Sequence, residues 1–351
     1  SAGNPVEVRA ENIVVGVKDA DGKPLPVQNL IIDNSANTAD TGQFFDTILR
    51  ANEKLDIYLN GDQGGAGTSG NILITGGTAS ATAAKDVAKT SALAGMRGEI
   101  VTILGVKGGT PSALCTQCVN PLAPYATNSS NITLQGGTAE SNTKAGGGAL
   151  AAADALILGT SSKFIDIGGN VLLTGGTANS KDGGQASATA AIDPVNLTVT
   201  TGGYIKLVGG TGLGASAVML NSGDIEINIG GKLEYTYTDA TGPHTLPNVS
   251  LLLVGGPGSG IYDRNDLPIT LIGDPSSQAR VLFPAVNGGT GGGYYFVHTD
   301  TTKTTAFIQS LSPRGFDESL MSYIVAATTR SLASNFGNVA NTDDISKPSC
   351  N

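Results

Sequence analysis

One phrase recurs along this chain: a short alternating apolar run, then Gly-Gly, then Thr. Gly-Gly-Thr triplets begin at Gly76, Gly108, Gly136, Gly175, Gly209 and Gly288, and a Gly-Gly-Pro variant begins at Gly255. Successive copies lie 28 to 46 residues apart. They follow runs such as Asn71-Ile-Leu-Ile-Thr75, Asn131-Ile-Thr-Leu-Gln135, Asn170-Val-Leu-Leu-Thr174, Tyr204-Ile-Lys-Leu-Val208 and Ser250-Leu-Leu-Leu-Val254. A fixed strand and a fixed turn at such intervals mark a repeat architecture, in which each unit buries its apolar side only against its neighbours.

Within a repeat the strands are short. Leu156-Ile-Leu158, Phe164-Ile-Asp-Ile167 and Val171-Leu-Leu173 are separated by Gly159-Thr-Ser-Ser and by Gly168-Gly169. Three one-strand faces per winding predict a parallel β-helix, a β-solenoid. In Asp224–Ile229 the period of two predicts Ile225, Ile227 and Ile229 facing inward, with Asp224, Glu226 and Asn228 facing water. A slip of one residue would bury the polar set, so register is tightly specified. The glycine pairs are expected to supply positive φ at corners. Eight to ten coils about 4.8 Å apart make a rod of roughly 40–50 Å. Residues 78–89, 110–127, 177–184 and 239–248 read as polar insertions bulging from one edge.

Composition removes the alternatives. With 50 Gly in 351 residues and only 14% charged, the chain is unsuited to helical bundles and coiled coils. Its 40% hydrophobic share, gathered in β-branched runs, argues against disorder. Glycine does not recur at every third position, which excludes collagen. A net charge of −9 argues against a nucleic-acid partner. No run approaches the roughly 18 apolar residues of a transmembrane segment.

The chain divides into residues 1–54, an N-terminal cap with opening strands; 55–293, the solenoid repeats; and 294–351, a C-terminal cap with helix and tail. That helix is predicted from Asp317, a plausible N-cap, through Leu320, Ile324, Ala327 and Leu332. It would plug the open end of the last coil.

Three units carry a resemblance to a known family: Gly169-Asn-Val-Leu-Leu-Thr-Gly-Gly-Thr177, Val195-Asn-Leu-Thr-Val-Thr-Thr-Gly-Gly-Tyr-Ile-Lys-Leu-Val-Gly-Gly210 and Gly223-Asp-Ile-Glu-Ile-Asn-Ile-Gly-Gly-Lys-Leu233. The chain resembles the filamentous-haemagglutinin-like secreted exoproteins of Gram-negative bacteria over about residues 55–290. The resemblance implies a right-handed β-helix, exported and displayed at the cell surface or outside the cell, and used in adhesion or as a fibre. The family's amino-terminal secretion module carries Asn-Pro-Asn motifs, whereas this chain has only Asn4-Pro5. The resemblance therefore implies a distal or C-terminal segment, or a short relative. It transfers no binding residue.

Few residues offer chemistry. Cys115-Thr-Gln-Cys118 is a lone CxxC, short of ligands for a four-coordinate zinc site. It reads as a local disulfide, with a redox pair or half of a metal site as alternatives. Tyr262, Asp263, Arg264 and Asp266 form the best acidic cluster for a glycan site, against the simpler reading of a charged turn. His244 and His298 lack partners at ligand spacing, and Gly256–Gly260 lacks the lysine of a phosphate loop. Asn128, Asn131, Asn196 and Asn248 open glycosylation sequons. Asp166, Lys206 and Glu226 are expected on one outward face of successive coils.

No catalytic set, cofactor or metal is assigned. The expected function is that of a non-enzymatic extracellular structural β-solenoid: a surface-adhesin segment, or a filament subunit assembling end to end. Its partners would be other copies of itself, and host or matrix glycans or cell surfaces. The alternative is a β-helix carbohydrate-active enzyme or a tail-spike-like glycan binder. A β-propeller is a weaker third reading, since several repeats hold too few strands for a blade.

Overall fold

A computed structural model describes residues 6–18, 24–25, 29–39, 46–59, 70–83, 89–105, 130–143, 150–180, 185–211, 214–221, 223–239, 242–255, 259–263, 269–273, 278–282, 293–297 and 304–306. Among them every regular element is a strand. The first winding holds β1 (Val6–Val15), the antiparallel pair β2 (Val17–Lys18) and β3 (Pro24–Leu25), β4 (Asn29–Asp33) and β5 (Thr38–Ala39). The second holds β6 (Thr47–Tyr58), β7 (Asn71–Thr75), β8 (Thr78–Ala83) and β9 (Lys89–Ser91); the third, β10 (Ala94–Leu104), β11 (Ile132–Gln135), β12 (Thr138–Thr143) and β13 (Leu150–Ala152). The fourth has β14 (Ala155–Ile167), β15 (Val171–Thr174), β16 (Thr177–Ser180) and β17 (Gln185–Asp193). The fifth has β18 (Asn196–Thr201), β19 (Ile205–Val208) and β20 (Gly214–Asn221). Then come β21 (Ile225–Ile229), β22 (Leu233–Asp239), β23 (Gly242–Val254) and β24 (Gly260–Asp263), followed by β25 (Ile269–Gly273), β26 (Gln278–Leu282), β27 (Gly293–Val297) and β28 (Thr304–Ala306).

Equivalent strands pair in parallel from one winding to the next. One sheet runs β1-β6-β10-β14-β18-β21-β25, a second β4-β7-β11-β15-β19-β23-β26, and a third β5-β8-β12-β16. The described residues are thus all-β, with stacked parallel strands and no closed barrel among them, an arrangement compatible with a β-solenoid. Seven windings are described, and from Gly136 to Gly255 each spans one glycine-pair interval. The last strands of the two large sheets, β28 and β27, are antiparallel to their neighbours. The expected helical cap from Asp317 lies outside the described residues, as do Gly108 and Gly288.

Register explains the core. Ile72, Ile132, Val171, Ile205 and Leu251 form one continuous inward file, each 0% exposed. Ile225, Ile227 and Ile229 are buried as their alternation predicts. Each such side chain contributes roughly 1.5–3 kcal/mol of burial before conformational entropy is set against it.

A second, thinner core lies beside this aliphatic one, built of Ala92, Ala139, Ala151, Ala153, Ala178, Ala186 and Ala188. The glycine pairs stand at the waist between them. Gly137 N–H donates to Ala92 O at 2.8 Å, Gly176 N–H to Ala153 O at 2.6 Å and Gly210 N–H to Ala188 O at 2.7 Å. A Cβ on Gly136 would strike the Ala153 carbonyl oxygen, and one on Gly137 that of Gly77. Positive φ among the described glycines occurs instead at Gly16 and Gly242. The glycine pairs therefore serve close backbone approach across the winding, not a left-handed turn.

Three sequence readings change. Residues 78–83 and 177–180, read as the start of polar insertions, are strands of the third sheet. Gly159-Thr-Ser-Ser does not end a strand: β14 runs through it, with a register shift against β10 between Gly98 and Ile100. Residues 242–248, also read as a polar insertion, belong to β23 and pair with β22 as an antiparallel hairpin outside the parallel stack.

Candidate functional site

Cys115, Cys118, Arg264 and Asp266 lie outside the described residues. Tyr262 and Asp263 end β24, where Tyr262 pairs with Leu220 and Asp263 with Asn221. Asp166, Lys206 and Glu226 do not share a face: Lys206 is on the second sheet, and the other two occupy different files of the first. Asp166 is only 5% exposed, so it is not a surface charge. Among the described residues no three His, Cys, Asp or Glu side chains are grouped to hold a metal ion. No helix there is long and apolar enough to cross a membrane.

The sequons are placed unequally. Asn131 belongs to a ladder of side-chain amides at the start of the second sheet. Asn29 Oδ1 accepts from Asn71 N–H at 3.1 Å, Asn71 Oδ1 from Asn131 N–H at 3.0 Å, and Asn131 Oδ1 from Asn170 N–H at 2.8 Å. Asn170 Oδ1 continues it to Tyr204 N–H at 2.9 Å. Asn196 and Asn248 are exposed, Asn248 at φ 57°.

The hairpin gathers the described aromatic contacts. Cross-strand pairing of Tyr237 with His244 and of Tyr235 with Leu246 puts these side chains on one face. Tyr235 and Tyr237 are near parallel, with centroids 6.3 Å apart and planes at 17°. Tyr237 and His244 are 5.2 Å apart at 27°. Lys206 Nζ, from the neighbouring β19, sits 5.1 Å from the Tyr235 ring centre. Beneath the row lie Val249, Leu252, Val254 and Leu282. Burial pushes the Tyr235 hydroxyl pKa up. Sequence periodicity does not reveal this row, because alternation alone does not distinguish an antiparallel hairpin strand from a stacked parallel one. The usable signal was the Thr238–Pro243 break followed by a second alternating run.

Two further clusters hold buried polar groups. Where the chain enters β6 and β14, Asp46 and Asp154 turn into the protein and are 5% and 0% exposed. Asp46 Oδ1 accepts from Ser91 Oγ at 2.5 Å and from Leu93 N–H at 3.0 Å. Asp154 Oδ1 accepts from Ser187 Oγ and Thr189 N–H, both at 2.7 Å. On the outward side of the first sheet, Arg9, Arg50 and Arg97 stack in register. Burial, then the adjacent Arg50 and Arg9, bring Arg97 down to about 10.

Comparison of this chain with protein-family models, with curated proteins and with solved structures finds no match.

Proposed function

We propose that this chain is a right-handed β-solenoid acting as a non-enzymatic extracellular structural rod, either a cell-surface adhesin segment or a filament subunit that assembles end to end. The observation that carries this reading is the in-register parallel stacking of equivalent strands, which gives a repeating axis and leaves β1 and β4 at the ends of their sheets among the described residues. Val8 faces the column that Leu49 fills one winding later, yet is 45% exposed, as expected where a further winding can stack. Export from a bacterium follows from the resemblance to filamentous-haemagglutinin-like exoproteins. Negative-stain electron microscopy across a concentration series tests the reading. Rods that lengthen by whole subunits are expected; compact particles of unchanging size at every concentration would overturn the filament form.

A second reading, glycan contact, is favoured by the hairpin rather than by Tyr262–Asp266. Near-parallel rings in a row are suited to stack on the apolar faces of successive pyranoses, and Lys206 is placed to meet a carboxylate or hydroxyl. Calorimetric titration with cellohexaose and with an alginate hexamer tests this. Tyr237→Ala should weaken binding about tenfold, the equivalent of one lost stacking contact. Absence of binding by both oligomers would remove the hairpin from consideration. Cleavage of either that disappears in Asp263→Asn would move the contact to the Tyr262–Asp266 segment.

A further inference from the structure

We propose that Asp46 and Asp154 are proton-operated latches between windings, which hold the stack tighter when protonated and loosen it when ionised. The two sites are built alike. Each aspartate stands at the corner just before a long strand of the first sheet, and each accepts from a serine hydroxyl and a backbone N–H of the following winding: Ser91 and Leu93 for Asp46, Ser187 and Thr189 for Asp154. The intervening corner residue is Leu93, whose carbonyl accepts from Thr47 N–H at 2.7 Å, while Asp154 O accepts from Ala94 N–H at 2.9 Å. The pattern of carboxylate, then serine two residues before an N–H donor, thus occurs twice along the axis.

The geometry favours the proton. Among the described residues, the donors to each carboxylate are neutral, and the charged groups that reach Asp46 are both acidic: Glu7 from β1 and Asp154 from the start of β14. Asp154 faces the neutral Ser187 and Thr189 of β17, and Thr189 in turn meets Ser216 of β20. Asp154 Oδ2 is buried without any hydrogen-bond partner. A buried negative charge on an oxygen that nothing solvates is costly, and protonation removes that cost. Burial, opposed by the hydrogen bonds, raises Asp46 to about 7 and Asp154 to about 6.

The sign follows from linkage. Both pKa values lie above the unfolded value of 3.8, so the folded chain binds more protons between about pH 4 and 7. Stability contributed by the latches is full near pH 4 and is lost as the pH rises through 6 and 7. Loss of the general surface charge on acidification acts in the same direction, so the test must isolate the two side chains.

Thermal unfolding of the full chain should show a Tm higher at pH 5 than at pH 8 by on the order of 5 °C. Asp154→Asn keeps the acceptor for Ser187 and Thr189 and carries no charge. At pH 8 it should unfold above the unsubstituted protein, recovering part of the difference between pH 5 and pH 8 and leaving the larger share to Asp46. The Asp46→Asn/Asp154→Asn double variant should lose most of the pH dependence. A double variant with the unsubstituted slope would overturn the proposal. If the variants fold poorly, infrared difference spectra of the unsubstituted protein between pH 5 and 8 still decide it. A carboxylic-acid carbonyl band from a buried group, titrating between pH 6 and 7, is expected. Its absence would sink the latch.

Discussion

Lys163 occupies an inward position of β14, in the file formed by Leu55, Val101, Leu197 and Ile225. A lysine among aliphatics is explained by the corner nearby. β10 and β14 lose register between Gly98 and Ile100, and the chain breaks between β17 and β18 around Pro194, so the ladder stops supplying donors there. Lys163 Nζ donates to Ile157 O and to Asp193 O, each at 2.5 Å, and so ties β14 to the end of β17. Lys163→Met should keep the file filled but orphan two buried carbonyls, a loss of about 1–3 kcal/mol in urea unfolding. Burial pushes the Lys163 pKa well below 10.5, with Asp193 opposing. The unfolded chain therefore binds the extra proton, and stability rises with pH from that lowered value up to 10.5. The methionine variant should lack this rise. An unchanged alkaline limb in the variant would count against the assignment. Nothing in the sequence pattern marks Lys163, since its partners are main-chain atoms six and thirty residues away.

At the scale of elements, legibility followed side-chain size. The second sheet was readable because its short runs of large aliphatics, Ile72–Ile74, Ile132–Leu134 and Val171–Leu173, each end at a glycine pair, and in Ile132-Thr-Leu134 the alternation with a polar residue fixes the inward face. The third sheet was missed because its inward residues are Ala79, Ala139 and Ala178, too small to register against Thr, Ser and Asn. Those alanines are nevertheless a requirement. With backbone touching backbone at the glycine waist, the alanine core has no room for a longer side chain. Ala139→Leu should cost about 1–3 kcal/mol through overpacking, although Leu is the more hydrophobic residue. Retained or increased stability in chemical denaturation would show that the waist opens. The hairpin was illegible for a different reason: its strands alternate as a solenoid strand would, and pairing sense is not encoded in alternation. The same ambiguity hid the aromatic row.

For the whole molecule, stacking makes stability a sum over neighbours along one axis. Among the described residues strand β1 pairs on one side only, and its inward Val6 and Val8 are 36% and 45% exposed, whereas the inward residues of β10, β14 and β18 are almost fully buried. Amide hydrogen exchange should therefore be fastest in β1 and slowest in β10, β14 and β18, with intermediate protection in β6. Uniform protection along the axis would instead indicate a single cooperative unit. The existence of the axis was visible in the spacing of the glycine pairs. Its pinched cross-section was not, because the contacts that create it join glycines to alanines on a different face of the winding.

The alignment of Ala94 with Ala155, and of both with Thr47, has a consequence for how such a chain changes length. Cutting after Leu93 and rejoining at Ala155 removes one whole period, yet β14 then meets β6 in the phase that β10 had. Recombination between repeats at this seam would shorten or extend the protein while keeping the strand register, so the number of periods is open to variation by duplication and deletion.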